Sequence, residues 1–304
     1  SFVNQGTGKT LMFWWLIIHD AAPSSLCILS PRPAFMTRTW LAVAKLFSAL
    51  IGIAACLLLV VLGLQTGFPE HLSPALRDGI YVVLLYSSFL GLIKYSRTTY
   101  PFPSARKHPG ASLGGFALAM ILVSLAWIPG FMTGRLLWTP HLPTWTLVIE
   151  LLCLSWGIAW IEELLFRGLL FTLFRTGYST GTAIVLQAVI FSLLHQLRGE
   201  WGWEMRLGSG LGLFLTAIVL AQFRVRSHHL GWSIGLHSGW IFMCQWADRT
   251  QSIRLSETAS GLPELLFQEV NPISGISGML LLTAVSYVIM KANRTHAKCC
   301  TSER

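Results

Sequence analysis

Long apolar runs separated by short polar loops set the pattern of this chain. A helix needs about 20 apolar residues to cross the hydrocarbon core of a bilayer. Eight runs approach that length: 42–64, 79–95, 112–133, 145–173, 180–197, 208–222, 229–246 and 273–290. The second and sixth are short. None alternates apolar and polar positions with period two, so helices are the elements predicted. The expected fold is all-α, a polytopic membrane protein with about eight transmembrane helices.

Composition and charge sharpen this picture. The chain has 304 residues, 53% of them hydrophobic and 12% charged, where a soluble domain carries about 25% charged residues. Thirteen Trp and seventeen Phe suit the aromatic belts of a membrane protein. The net charge of +9 is dispersed over short loops, which argues for a topology signal and against a nucleic-acid partner. Lys9, Arg32, Arg38 and Lys45 precede or open the first span, and Lys94, Arg97, Arg106 and Lys107 follow the second. Arg224 and Arg226 follow the sixth, and Lys291, Arg294, Lys298 and Arg304 lie in the tail. The alternate loops hold only Arg77, Arg135, Arg198, Arg206, Arg249 and Arg254, beside the acids Glu70, Asp78, Glu200, Glu204, Asp248, Glu257, Glu264 and Glu269. This bias places both termini in the cytoplasm, and a bacterial plasma membrane is the expected location.

Other signals lead nowhere. The six cysteines show no CxxC or zinc-ligand spacing, so neither a disulfide framework nor a cysteine metal site is indicated. Gly6-Thr7-Gly8-Lys9-Thr10 lacks the first glycine of a phosphate loop, because Val3 stands there. Residues 1–35 read as an upstream extension or disordered N-terminus, since Met36 followed by Thr37-Arg38-Thr39-Trp40 resembles a natural start; the alternative reading is that the chain is a fragment. Residues 36–140 would hold N-terminal transmembrane helices, 141–292 a core that carries the chemistry, and 293–304 a basic cytoplasmic tail.

Three polar clusters punctuate the later spans: Glu162-Glu163-x3-Arg167, Phe191-x3-His195, and His237. A charge at bilayer depth costs about 2.5 kcal/mol or more, so such residues are functional candidates. Gly177 to Gly181 signals a turn. Glu162 lies sixteen residues before Tyr178 and His195 sixteen after Ser179. In an antiparallel hairpin they come level, about 25 Å from the turn at ~1.5 Å per residue. A carboxylate and an imidazole so placed can share a water. Glu163 and Arg167 have the favourable i, i+4 order of an internal ion pair. Glu162 has no cation at i+4 and is the candidate general base. Phe191 can wall the His195 imidazole. Gly231, Gly235 and Gly239 form a small-residue stripe for close packing, and the other face of that helix would present His237 to a cavity.

These motifs resemble those of the CPBP family, the type II CAAX prenyl endopeptidases with their bacteriocin-processing and immunity relatives. The match covers about residues 145–246. The resemblance implies an intramembrane endopeptidase acting on a membrane-associated protein or peptide within the lipid bilayer. In it Glu162 and His195 activate the attacking water, Glu163 and Arg167 support the site, and His237 belongs to an oxyanion-stabilising pair. The family has Asn or Asp four residues after that histidine, where this chain has Ile241. Either His237 acts alone, a group such as Ser238 substitutes, or catalysis is weak. Relatives are described both as glutamate-type and as metallo-endopeptidases; a zinc ion, if bound, would take Glu162, His195 and His237, while the absence of a His-x3-His helix favours a metal-free site. Two rivals stand beside the enzyme: a catalytically weak or inactive membrane scaffold or immunity protein, and a transporter, against which the absence of broken repeated spans argues.

Overall fold

The computed structural model describes residues 109–196, 203–256 and 261–302, with single helical positions at Ser87, Gly91 and Lys94. The Met36 start, the first 35 residues, and the spans expected at 42–64 and 79–95 (those three positions apart) lie outside the described residues.

The described elements run in order α1 (Pro109–Met132), β1 (Leu136–Trp138), α2 (Trp145–Glu163), a π-helical stretch (Leu164–Leu170), α3 (Phe171–Arg175), α4 (Thr180–His195), α5 (Trp203–Ser227), α6 (Gly231–Thr250), β2 (Ile253–Leu255), α7 (Leu262–Leu266), a 3-10 turn (Pro272–Ser274) and α8 (Ile276–Ser302). Helix thus underlies each of the six spans expected beyond residue 100. Among the described residues two helices are long and apolar enough to cross a membrane, Pro109–Met132 and Arg206–Ser227, and Thr180–His195 and Ile276–Ala292 are shorter apolar helices. The expected count of eight spans is therefore not established. The run at 145–173 is continuous helix but not uniformly α, because Leu164–Leu170, near its end, adopts the i→i+5 pattern. The tail's helix continues α8 to Ser302.

The chain divides into two compact units. In the smaller, residues 1–102 with 172–182, residues 176–179 form a turn. Gly177 N and Tyr178 N donate to the Phe174 carbonyl at 3.1 and 2.9 Å, and the Ser179 hydroxyl accepts from Thr182 N at 3.2 Å, capping α4. The turn signal read at 177–181 falls on this turn and on the first two residues of α4. The larger unit, 103–171 with 183–304, holds every candidate site residue.

Within the larger unit the closest helix pairing joins α1 to α6, and glycine explains it. A Cβ on Gly235 would run into the Ser112 carbonyl of α1, and one on Gly239 would sit 2.6 Å from the Phe116 carbonyl oxygen. Small residues let two backbones touch where lipid supplies no hydrophobic drive. Around this crossing Val123, Trp127, Leu236, Trp240 and Met243 join Leu220, Phe267 and Leu282 in one buried cluster. Gly235→Ala is expected to destabilise the protein by about 1–3 kcal/mol through forced backbone separation, read as a fall in thermal midpoint in detergent. Gly210→Ala is the control, because its nearest neighbours would be side-chain atoms 3.5 Å or more away.

One small sheet was not foreseen. β1 and β2 pair antiparallel, Leu136 opposite Leu255 and Trp138 opposite Ile253. Three residues per strand are too few to show a period of two. Arg135 fastens this corner, donating from Nη1 to the Ser256 carbonyl at 2.7 Å and from Nε to the Phe267 carbonyl at 3.1 Å.

Candidate active site

Glu162 and Glu163 are the last two residues of α2, which starts at Trp145 behind an N-cap in which Thr144 Oγ1 accepts from Leu147 N at 3.2 Å. The helix then widens into the π-helical stretch that carries Arg167. Such stretches are uncommon and recur at functional sites. Here the wider turn lies directly after the paired carboxylates.

Glu163 and Arg167 are both fully buried, with Arg167 Nη1 2.9 Å from Glu163 Oε1. The guanidinium lies over the Phe191 ring, 4.5 Å from its centroid, so a carboxylate and an aromatic face together replace water around it. The same Glu163 Oε1 stands 2.9 Å from His237 Nδ1. An ionised carboxylate can only accept, so His237 donates from Nδ1. Glu163 therefore does more than the expected pairing with Arg167: it also fixes the imidazole of α6.

His195 is held in a parallel way. Its Nδ1 is 2.8 Å from the Phe191 carbonyl, an acceptor only, so Nδ1 carries the proton and Nε2 carries the lone pair when the ring is neutral. Both Nε2 atoms face Glu162. Glu162 Oε2 is 3.6 Å from His195 Nε2 and 3.7 Å from His237 Nε2. Phe191 sits centrally, in edge contact with Phe166 at 4.9 Å and against the His195 ring at 4.3 Å.

Glu162, Phe191, His195 and His237 line one cavity of about 270 Å³. The six candidate catalytic and supporting residues thus fall within one constellation: Glu162, His195 and His237 face the cavity with Phe191, and Glu163 and Arg167 lie behind it, fully buried. The wall also includes Thr216, Ile241, Gln245 and Asn271, of which only Ile241 was singled out from sequence. Ile241 could be placed by its spacing of four from His237. Asn271 had only its position before Pro272 to mark it, a helix-start signal rather than a chemical one. Ser238, weighed as a substitute donor, is fully buried and donates to the Gly235 carbonyl at 3.0 Å.

Residues 144–243, about a third of the chain, match the model of the Rce1-like family, described as type II CAAX prenyl endopeptidase. This stretch belongs to the CPBP family. The CPBP match begins one residue before α2 and ends within α6, so it contains Glu162, Glu163, Arg167, Phe191, His195 and His237. Asn271 lies beyond it. At the coarse level this match implies a protease, of a family that is membrane-embedded. No curated protein and no solved structure matches the chain significantly.

The CPBP resemblance raised a zinc ion on Glu162, His195 and His237. Among the described residues no three His, Cys, Asp or Glu side chains form a ready-made metal cage; these three meet only around Glu162 Oε2, at the separations above.

Proposed function

We propose that this cavity hydrolyses a peptide bond of a membrane-associated protein or peptide, with a water activated by Glu162 and His195. The observation that carries this reading is the convergence of His195 Nε2 and His237 Nε2 on Glu162 Oε2, at 3.6 and 3.7 Å.

Charge balance distributes the roles. Glu162, Glu163 and Arg167 together carry one net negative charge in a buried site. A single proton on the histidine pair neutralises it, and uncompensated buried charge is costly. His237 stands between both carboxylates, 2.9 Å from Glu163 and 3.7 Å from Glu162, so it is the imidazole better placed to hold that proton. His195 then stays neutral, with its Nε2 lone pair towards the cavity.

A water between Glu162 Oε2 and His195 Nε2 donates a hydrogen bond to each. Its oxygen lone pair attacks the substrate carbonyl as Glu162 takes the proton. The carbonyl oxygen becomes an oxyanion, which accepts from His237 Nε2–H. Collapse of the tetrahedral intermediate breaks the C–N bond, and the proton on Glu162 passes to the departing amine. One water is consumed and the site returns to its starting charge.

In this reading no step needs a metal. Reconstituted protein is expected to cleave a farnesylated CAAX peptide, with the product identified by mass spectrometry, and to keep its rate after treatment with 1,10-phenanthroline. Loss of the rate with recovery on added zinc would instead assign water activation to a metal on Glu162, His195 and His237. The second reading, a binding protein without turnover, draws on Ile241, which puts an aliphatic side chain on the cavity wall; it predicts peptide binding with no product.

A further inference from the structure

We propose that Asn271 supplies the second hydrogen bond to the oxyanion, from its side-chain Nδ2. This rests on the peptide-hydrolysis reading. An oxyanion in a water-poor site is stabilised by fixed donors aimed at it before reaction. His237 Nε2 is one such donor. The cavity wall offers few others, because most of its N–H and O–H groups are already used. The Thr216 hydroxyl donates to the Gly212 carbonyl at 2.9 Å. The Trp240 indole N–H donates to Asn271 Oδ1 at 3.1 Å. Ile241 has none to offer.

The Asn271 amide is oriented unambiguously. Its Oδ1 accepts from Trp240 Nε1, from Ile273 N at 3.4 Å and from Cys244 Sγ at 3.4 Å. An indole N–H and a backbone N–H only donate, so the atom facing them is the oxygen. Nδ2, on the other branch of the planar group, makes no hydrogen bond among the described residues, and Asn271 lines the same cavity as Glu162 and His237.

Its position along α6 suits the task. Trp240 and Cys244 lie three and seven residues after His237, on the same helix face. Holding Asn271 against both places a carboxamide on the His237 side of α6, beside Ile241. The other carboxamide on the wall, Gln245, has no such restraint: its Oε1 is buried without a hydrogen-bond partner.

The loop that carries Asn271 is anchored at several points. Trp127 Nε1 donates to the Val270 carbonyl at 2.8 Å, and the Ser274 hydroxyl donates to the Asn271 carbonyl at 2.9 Å. On the α5 side, a Cβ on Gly212 would collide with the Ile273 carbonyl. A donor fixed this way needs no reorganisation during the reaction, the property that makes oxyanion donors effective.

The test is Asn271→Asp, assayed with the farnesylated CAAX peptide beside wild type and Glu162→Gln. Asp keeps the shape and an oxygen to accept from Trp240 and Ile273, and it replaces the donor by an acceptor. The expected result is a fall in kcat of about 100-fold, KM within threefold, and an unchanged thermal midpoint. Ile241→Asn in the Asn271→Asp background should recover at least tenfold of the loss by bringing a donor from the neighbouring wall position. A kcat for Asn271→Asp within threefold of wild type overturns the inference, provided that Glu162→Gln is inactive. Full activity of Glu162→Gln, or no cleavage by wild type, overturns the hydrolysis reading and this inference with it. If Asn271→Asp lowers the midpoint, Asn271→Ser, which keeps an oxygen acceptor at the turn's N-cap, replaces it; the same thresholds then decide.

Discussion

Replacing Glu162 by Gln is expected to lower kcat by about 10³- to 10⁴-fold, the upper part of the range for loss of a positioned general base, with KM changed by less than threefold. Gln keeps the volume and polarity of the carboxyl group but cannot take a proton from water. Its effect should therefore fall on the chemical step and not on binding. His195→Gln should give a loss of similar size, since Glu162 Oε2 and His195 Nε2 bracket the same water at a separation of 3.6 Å. The double variant separates this account from two independent contributions. Groups that act as one unit are strongly non-additive, so Glu162→Gln with His195→Gln should be little slower than either alone. Multiplying losses would mean that the two residues act at different steps. Both single variants should keep the wild-type midpoint in detergent, because neither residue belongs to the buried Glu163–Arg167 pair.

Much of this site could be read from spacing alone. The height match of Glu162 and His195 follows from helix rise and one turn, and both quantities are insensitive to packing detail. The turn at 176–179 forms where Gly177, Ser179 and Gly181 predict it, and the two residues arrive within 3.6 Å. The glycine stripe and His237 likewise follow from helical periodicity: Gly235 meets Ser112 while His237 lines the cavity.

What escaped the sequence depends on contacts between distant segments. The π-helical stretch at 164–170 has no Gly or Pro run to mark it, and Leu164 to Leu170 would suit an α-helix equally. Glu163 was assigned one partner because its i+4 neighbour is visible in the sequence. Its second, His237, is 74 residues away. Asn271 is no more legible: its meaning comes from Trp240 and Cys244, 31 and 27 residues away, which hold its oxygen, and no local pattern encodes that. The pairing of β1 with β2 joins strands more than a hundred residues apart, each too short to show alternation.

The Glu163–Arg167 pair allows stability and catalysis to be separated experimentally. Both side chains are fully buried. Removing one leaves the other as an uncompensated charge, a change that costs about 3–5 kcal/mol in buried pairs. Arg167→Met is thus expected to lower the thermal midpoint sharply and to reduce yield from membranes. Glu163→Gln should do likewise, since the Arg167 guanidinium would keep only the Phe191 face, 4.5 Å from its centre. Combining the two removes both charges and fills the space with side chains of similar size, so the double variant should recover most of the lost midpoint. Catalysis should not return with it. Glu163 Oε1 also accepts from His237 Nδ1 at 2.9 Å, and a neutral amide there no longer favours an imidazolium or fixes which nitrogen faces the cavity. The expected outcome is a folded protein whose kcat stays at least 100-fold down. A double variant that regained both midpoint and turnover would show that the pair is structural alone and that His237 does not depend on Glu163 for its proton.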